Sequence, residues 1–171
     1  MSVPKIRKVL PLLIVAALLS GTGCGFHMQG RADYDSDLST IYLQVPDKAT
    51  PLAKALRKSL SVARLTLTED ATAASAILQI VSDDTGRSVE SVTPENRPRE
   101  YRIYYRTSYR VLAGGKVVLD NQRVIRTRVY TYDETEVLAK AHEEDMLRNA
   151  LAREIAGVIT RRLANIEVPT T

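Results

Sequence analysis

The residue types best suited to grip a ligand are concentrated in one stretch of this chain. Between Arg97 and Arg128 stand nine basic residues, Arg97, Arg99, Arg102, Arg106, Arg110, Lys116, Arg123, Arg126 and Arg128, against two acids, Glu100 and Asp120. Several of the eight tyrosines interleave with those arginines. A guanidinium is a forked donor matched to phosphate, and a twisted sheet lets several converge. The chemistry expected here is anion binding on a basic sheet face made by Arg102, Arg106, Arg110, Arg126 and Arg128. The competing reading is that these arginines solvate an exposed face, paired with acids of neighbouring elements. Arginine and tyrosine together also suit nucleic acid, by phosphate contact and stacking. The export signal described below argues against that partner.

Catalysis has little to work with. The two histidines are His27 and His142, and no H-E-x-x-H, G-x-S-x-G or C-x-x-C occurs. Gly114-Gly115-Lys116 lacks the spacing of a phosphate loop and reads as a hairpin turn. Glu143, Glu144 and Asp145 are expected to solvate the start of the last helix, where its dipole favours carboxylates. The expectation is a protein that is not an enzyme and has no metal site.

The single cysteine, Cys24, stands where an apolar run gives way to small residues. Lys5, Arg7 and Lys8 form a basic lead, Val9 to Leu19 is almost wholly apolar apart from Pro11, and Ser20 to Gly23 supplies small residues for a peptidase. A spanning helix needs roughly 20 apolar residues, so residues 1–23 are an export signal. Gly21 stands where lipoprotein signals usually carry leucine, so ordinary cleavage nearby, leaving an unmodified thiol, is the alternative. A lone cysteine in an exported chain has no internal disulfide partner, and lipidation at Cys24 gives it a purpose. A covalent lipid there is the only prosthetic group expected, and two or more lipid signals anchor a protein stably.

The elements that must position the arginines follow from periodicity. Removing the leader leaves 21 Lys and Arg against 20 Asp and Glu, so the mature chain is nearly neutral and long enough for one hydrophobic core. Residues 24–39 read as a lipidated N-terminus and polar tether, 40–167 as a single domain and 168–171 as a short tail. Ile41, Leu43 and Val45 mark a strand stopped by Pro46. Thr50 before Pro51 is an N-cap followed by proline at N1, opening a helix to about Arg64. Leu65 to Thr68 is a possible short extended piece and Ala76 to Ser82 a second strand. Gly86, Pro94 and Pro98 punctuate residues 83–99, where Val89 and Val92 leave open a prolongation of the second strand before the chain turns, and 93–99 are expected to be a mobile basic loop. Tyr101, Ile103, Tyr105, Thr107, Tyr109 and Val111 alternate with Arg102, Tyr104, Arg106, Ser108 and Arg110, which predicts a strand with one core face. A return strand runs from Lys116 to about Tyr130, with Val124, Arg126, Arg128 and Tyr130 on one side, Ile125, Thr127 and Val129 on the other, and a bulge at Asp120 to Arg123. Asp133 and Glu136 have the spacing of a capping box. The last helix carries the stripe Leu147, Ala150, Leu151, Ile155, Val158, Ile159 and Leu163, which projects backwards onto Lys140, Glu143 and Glu144. Residues 134–142 are therefore a loop, or a helical turn whose apolar side faces something other than that core. The predicted class is α+β, a four-stranded mixed sheet with two helices packed on one face.

At Gly23-Cys24-Gly25-Phe26-His27, continuing through Gly30, the chain resembles the LPS-assembly lipoprotein LptE family. The likeness runs on through Pro51-Leu52, Glu100-Tyr101, Leu138-Ala139-Lys140 and Glu144-Asp145-Met146. It implies an α/β fold and a non-enzymatic protein that plugs the lumen of the outer-membrane β-barrel LptD, helps it assemble, and binds lipopolysaccharide on its way to the cell surface. It also implies lipopolysaccharide contacts at Lys140 and in the loop before the third strand, nearest to Arg97 and Arg99. Gly25 after the cysteine is similar to lipoproteins sorted to the outer membrane, so the implied location is lipid-anchored, on the periplasmic side and within the barrel lumen. The alternative is a structural envelope lipoprotein that acts only as a protein-docking scaffold.

Overall fold

A computed structural model describes residues 38–166. The leader, Cys24, the tether before Leu38 and residues 167–171, including the last residue of the expected domain, lie outside the described residues. The elements run β1 (Thr40–Gln44), α1 (Pro51–Val62), β2 (Thr66–Thr68), β3 (Ala76–Val92), β4 (Pro98–Ala113), β5 (Lys116–Thr131) and α2 (Val137–Leu163). They form one mixed sheet in the order β2-β1-β3-β4-β5, with β1 parallel to both β2 and β3 and the rest antiparallel. The class is α+β as predicted, but the sheet has five strands rather than four. The extra strand is the short piece after α1, where Thr66, Leu67 and Thr68 pair with Thr40, Ile41 and Tyr42.

Both helices supply one core. Leu52, Leu56 and Leu60 of α1 and Leu151, Ile155, Ile159 and Leu163 of α2 are buried with Ile41, Leu78, Ile103, Tyr105, Tyr109 and Val111 of the sheet. Each such aliphatic side chain contributes about 1.5–3 kcal/mol by leaving water. Thr50 caps α1 as its sequence suggests, its hydroxyl accepting the Ala53 amide at 3.2 Å. A second cap comes from the sheet, because the buried Tyr105 hydroxyl accepts the Leu52 amide at 3.2 Å. Leu38, in the segment read as tether, is fully buried beside Ala76 and Ala113.

β3 continues ten residues beyond Ser82 to Val92, the prolongation that Val89 and Val92 leave open in the sequence. Its second half is polar because its outer face is exposed and its inner face meets charged groups, so no apolar alternation marks it. The segment expected as a mobile loop is instead a turn of five residues, 93–97, closed by the Thr93 amide donating to the Arg97 carbonyl at 2.8 Å. Asn96 supplies the left-handed residue at φ 61°, a conformation asparagine tolerates. Arg99 therefore belongs to β4.

Two bulges set which residues face the helices. At Val81 the pairing shifts, so the inward positions of β3 change from Leu78 and Ile80 to Asp83, Thr85, Arg87 and Val89, opposite Thr107, Tyr105, Ile103 and Tyr101. In β5 Tyr109 faces Gln122 while Val111 faces Leu119, which leaves Asp120 and Asn121 as the bulge expected there, with Asn121 at φ 29°. Gly114 and Gly115 make the β4–β5 turn at φ 56° and 75°, where a side chain would be strained.

Tyr105→Phe strips the buried Leu52 amide of its acceptor, and an orphaned buried donor costs about 1–3 kcal/mol. Urea unfolding should show that loss with an unchanged m-value.

Candidate functional site

α2 spans 27 residues, or about 40 Å at 1.5 Å per residue. Its C-terminal part covers the core, while its first turns overhang the long β3–β4 hairpin. There the helix is joined to the sheet by a buried carboxylate. Glu144 is 6% exposed, and its Oε1 accepts from Arg87 Nη1 on β3 and from the Tyr130 hydroxyl on β5. Its Oε2 accepts from Arg148 Nη2, one turn on, at 2.8 Å. Around it, Arg87 lies over the Tyr101 ring at 4.6 Å, Tyr101 stacks on Tyr130 and meets Tyr132 edge-on at 5.1 Å.

The electrostatics follow from that packing. Burial pushes the Glu144 carboxyl up, but the hydrogen bonds from Tyr130 and Arg87 and the charges of Arg87 and Arg148 outweigh it and hold the pKa below the ordinary 4.5. Burial, with the carboxylate it faces, pushes Tyr130 up to about 12, so it remains a donor at neutral pH. The expectation that Glu144 solvates a helix terminus is corrected. It sits on the backward projection of the core stripe and faces inward.

Beside this cluster opens a cavity of about 440 Å³ lined by Arg87, Tyr132, Val137, Lys140, Ala141, Glu144, Asp145 and Arg148. Lys140 lies on the same backward projection as Glu144, its side chain only 17% exposed, and its ammonium reaches Glu143 at 2.9 Å. An ion pair between neighbours on one helix is weak, so an incoming anion can exchange for Glu143. The Glu144 carboxylate, held by three donors in the protein interior, is not exchangeable in that way. Residues 134–142 are thus neither core nor loop throughout. The helix starts at Val137, and Val137, Leu138 (87% exposed) and Met146 leave apolar surface uncovered. The capping box does not form: Glu136 makes no side-chain cap, and Asp133 accepts from Thr135 instead.

The five arginines expected on one basic face divide between two. Arg102, Arg106 and Arg110 point to the open face of the sheet, where they pair with Glu90, Asp84 and Gln79 of β3. Arg106 also lies over the Tyr104 ring. Arg126 and Arg128 stand opposite Tyr105 and Ile103, on the helix-bearing face, and Arg128 pairs with Glu154 of α2 at 2.5 Å. The β5 bulge and the register it sets bring about this split. Arg97 sits in the β3–β4 turn, 3.6 Å from Glu134 in the segment leading to α2. Arg99 is exposed, and its carbonyl accepts the Tyr132 amide. Arg97, Arg99 and Lys140 therefore gather at one end of the domain. Arg87, which sequence reasoning passed over, shares the cavity with Lys140. Its one signal was the odd-numbered alternation Thr85, Arg87, Val89, visible only once the Val81 bulge is known. Among the described residues no three His, Cys, Asp or Glu side chains converge as a metal site, and no helix is long and apolar enough to cross a membrane.

Comparison with known proteins yields one family. The model described as "LptE: Lipopolysaccharide-assembly" matches residues 38–163. The LPS-assembly lipoprotein LptE of Photorhabdus laumondii is 25% identical over 161 residues, which cover 94% of this chain and 87% of that protein. Among solved structures, the solution structure of an uncharacterized lipoprotein B from Nitrosomonas europaea superposes with a TM-score of 0.68 at 24% identity, covering 82% of this chain and 90% of the other. The crystal structure of the rare lipoprotein B from Shewanella oneidensis does so with a TM-score of 0.65 at 23% identity, covering 74% and 94%. At these identities the two structures speak to the fold.

A carboxyl whose pKa is depressed on folding stabilises the protein above its unfolded pKa, and that contribution disappears as pH falls through the folded value. Wild-type stability should therefore decline on acidification below about 4.5. Glu144→Gln should lower stability at pH 7 by about 1.5–3 kcal/mol, the worth of hydrogen bonds to a charged group, and flatten that part of the profile. Urea unfolding from pH 3 to 7 measures both.

Proposed function

The chain belongs to the LptE family of lipopolysaccharide-assembly proteins, and from that premise we propose that it is a lipid-anchored outer-membrane protein which plugs an LptD-type β-barrel, helps it assemble, and binds lipopolysaccharide in transit. On this reading Cys24 carries the lipid, the domain sits on the periplasmic side and within the barrel lumen, and no reaction is catalysed. The cavity at the start of α2 is its lipopolysaccharide contact.

The observation that carries the reading is the company Lys140 keeps. A phosphorylated glycolipid needs cations for its phosphates and apolar surface for its chains. Lys140 and Arg87 border one cavity with Val137, Ala141 and Tyr132, and Leu138 and Met146 leave further apolar surface exposed on other faces of the same turns of helix. Arg97 and Arg99, at the hairpin end beside it, are placed to meet further phosphates or sugars.

Reversing Lys140 to Asp in the full-length lipoprotein should weaken lipopolysaccharide binding about tenfold or more, the loss of one charge-assisted contact of about 1.5–3 kcal/mol. Arg97→Asp should weaken it less, since its side chain is exposed and screened. Binding of labelled lipopolysaccharide to the two detergent-purified variants, with circular dichroism as a check on folding, reads this out. Unchanged affinity in both would remove the assigned site.

A further inference from the structure

β5 ends the sheet on one side, and it is long for an edge. Exposed edges of this kind are templates for another strand, and proteins commonly blunt them with charge. The Tyr132 amide donates to the Arg99 carbonyl, and the register from Glu100↔Thr131 to Tyr109↔Gln122 is unbroken. In such an antiparallel ladder, alternate residues turn both backbone groups toward the partner. Even-numbered residues of β5 therefore bond to β4, and Arg123, Ile125, Thr127, Val129 and Thr131 present their amides and carbonyls outward.

Two of those outward carbonyls are already covered. Arg126 Nη1 donates to the Ile125 carbonyl at 2.9 Å and Arg128 Nη1 to the Thr127 carbonyl at 3.3 Å. Between Asn121 and Tyr132 the strand has three arginines and no acid. Its outer-face side chains Ile125 and Val129 are 49% and 48% exposed, flanking Thr127. We infer that the edge of β5 from Arg123 to Thr131 is a docking site for an extended acidic segment of a partner protein, which adds as a sixth strand.

Charge and register define the occupant. A strand laid along this edge places alternate side chains beside Arg126 and beside Arg128, whose Nη2 pairs with Glu154 of α2, and carboxylates there draw the two Nη1 donors off the carbonyls and free them for the new ladder. The intervening side chains lie beside Ile125, Thr127 and Val129, where β-branched residues pair well. The partner therefore alternates acidic with β-branched residues. A second copy of this chain is a poor occupant, because antiparallel self-pairing centred on Thr127 sets Arg126 against Arg128. The mode is strand addition, with the ladder supplying affinity and the charge pairs specificity.

The test uses full-length lipoprotein in detergent and two synthetic nine-residue peptides, one alternating threonine or valine with glutamate, the other with lysine in place of glutamate. Amide hydrogen exchange should slow at Ile125, Thr127 and Val129 with the glutamate peptide, and the even-numbered amides should not change. The glutamate peptide should bind about tenfold tighter than the lysine peptide, the difference between two favourable and two like-charge cross-strand pairs. Arg126→Glu with Arg128→Glu should invert that order, and Arg126→Gln with Arg128→Gln should abolish it. Absence of alternating protection would overturn the inference and leave the arginines as edge protection alone. Equal binding of both peptides would overturn the acidic partner, and concentration-dependent protection of the same amides without peptide would replace it with a second copy.

Discussion

One buried carboxylate holds the start of α2 to the long strands of the sheet. Glu144 is the only point at which the first turns of α2, the extended half of β3 and the end of β5 all meet in a hydrogen-bonded contact among the described residues. Removing that carboxylate leaves the buried Tyr130 hydroxyl without its acceptor and Arg87 and Arg148 without their counter-charge, and a buried donor left unmet is costly. The cluster therefore acts as a hinge pin. With it in place, Lys140 is tucked against the cavity and Leu138 is turned outward.

The pin depends on two irregularities in the sheet. Had β3 run without its bulge at Val81, Gly86 and Ser88 would face the helix and Arg87 would lie on the open side. Gly86 instead lies under Tyr104, where a Cβ would come within 2.7 Å of the ring's Cζ. Had β5 run without its bulge at residues 120 and 121, Tyr130 would turn away from Glu144, and Arg126 and Arg128 would join Arg102 and Arg106 outside. The residue inserted at each of these two bulges thus decides which charges are internal and which are surface, as expected where side chains alternate with a period of two.

Much of this was legible in the amino-acid order. The alternation from Tyr101 to Val111, the Thr50-Pro51 helix start, the Gly-Gly turn and the backward projection of the α2 stripe onto Lys140 and Glu144 are local signals, and the structure follows them. What was not legible depends on distant partners. The second half of β3 has no apolar face because its inner neighbours are Glu144 and the tyrosines, the former 57 residues away from Arg87. The division of the arginines turns on a register set by a bulge, and a bulge shows in sequence only as broken alternation. β2 is three residues long, too short for periodicity to reveal. For the site, the family resemblance pointed to Lys140, whereas Arg87 emerged only from tertiary packing.

The chain belongs to the LptE family, and on the function proposed above its domain serves a larger outer-membrane assembly. The most direct test of that account is the intact mass of the complex purified through a tag on the full-length lipoprotein from detergent-solubilised outer membrane. The account predicts one large β-barrel bound at one-to-one stoichiometry, with a lipidated cysteine at the start of the mature chain. A free monomer without a barrel would contradict it.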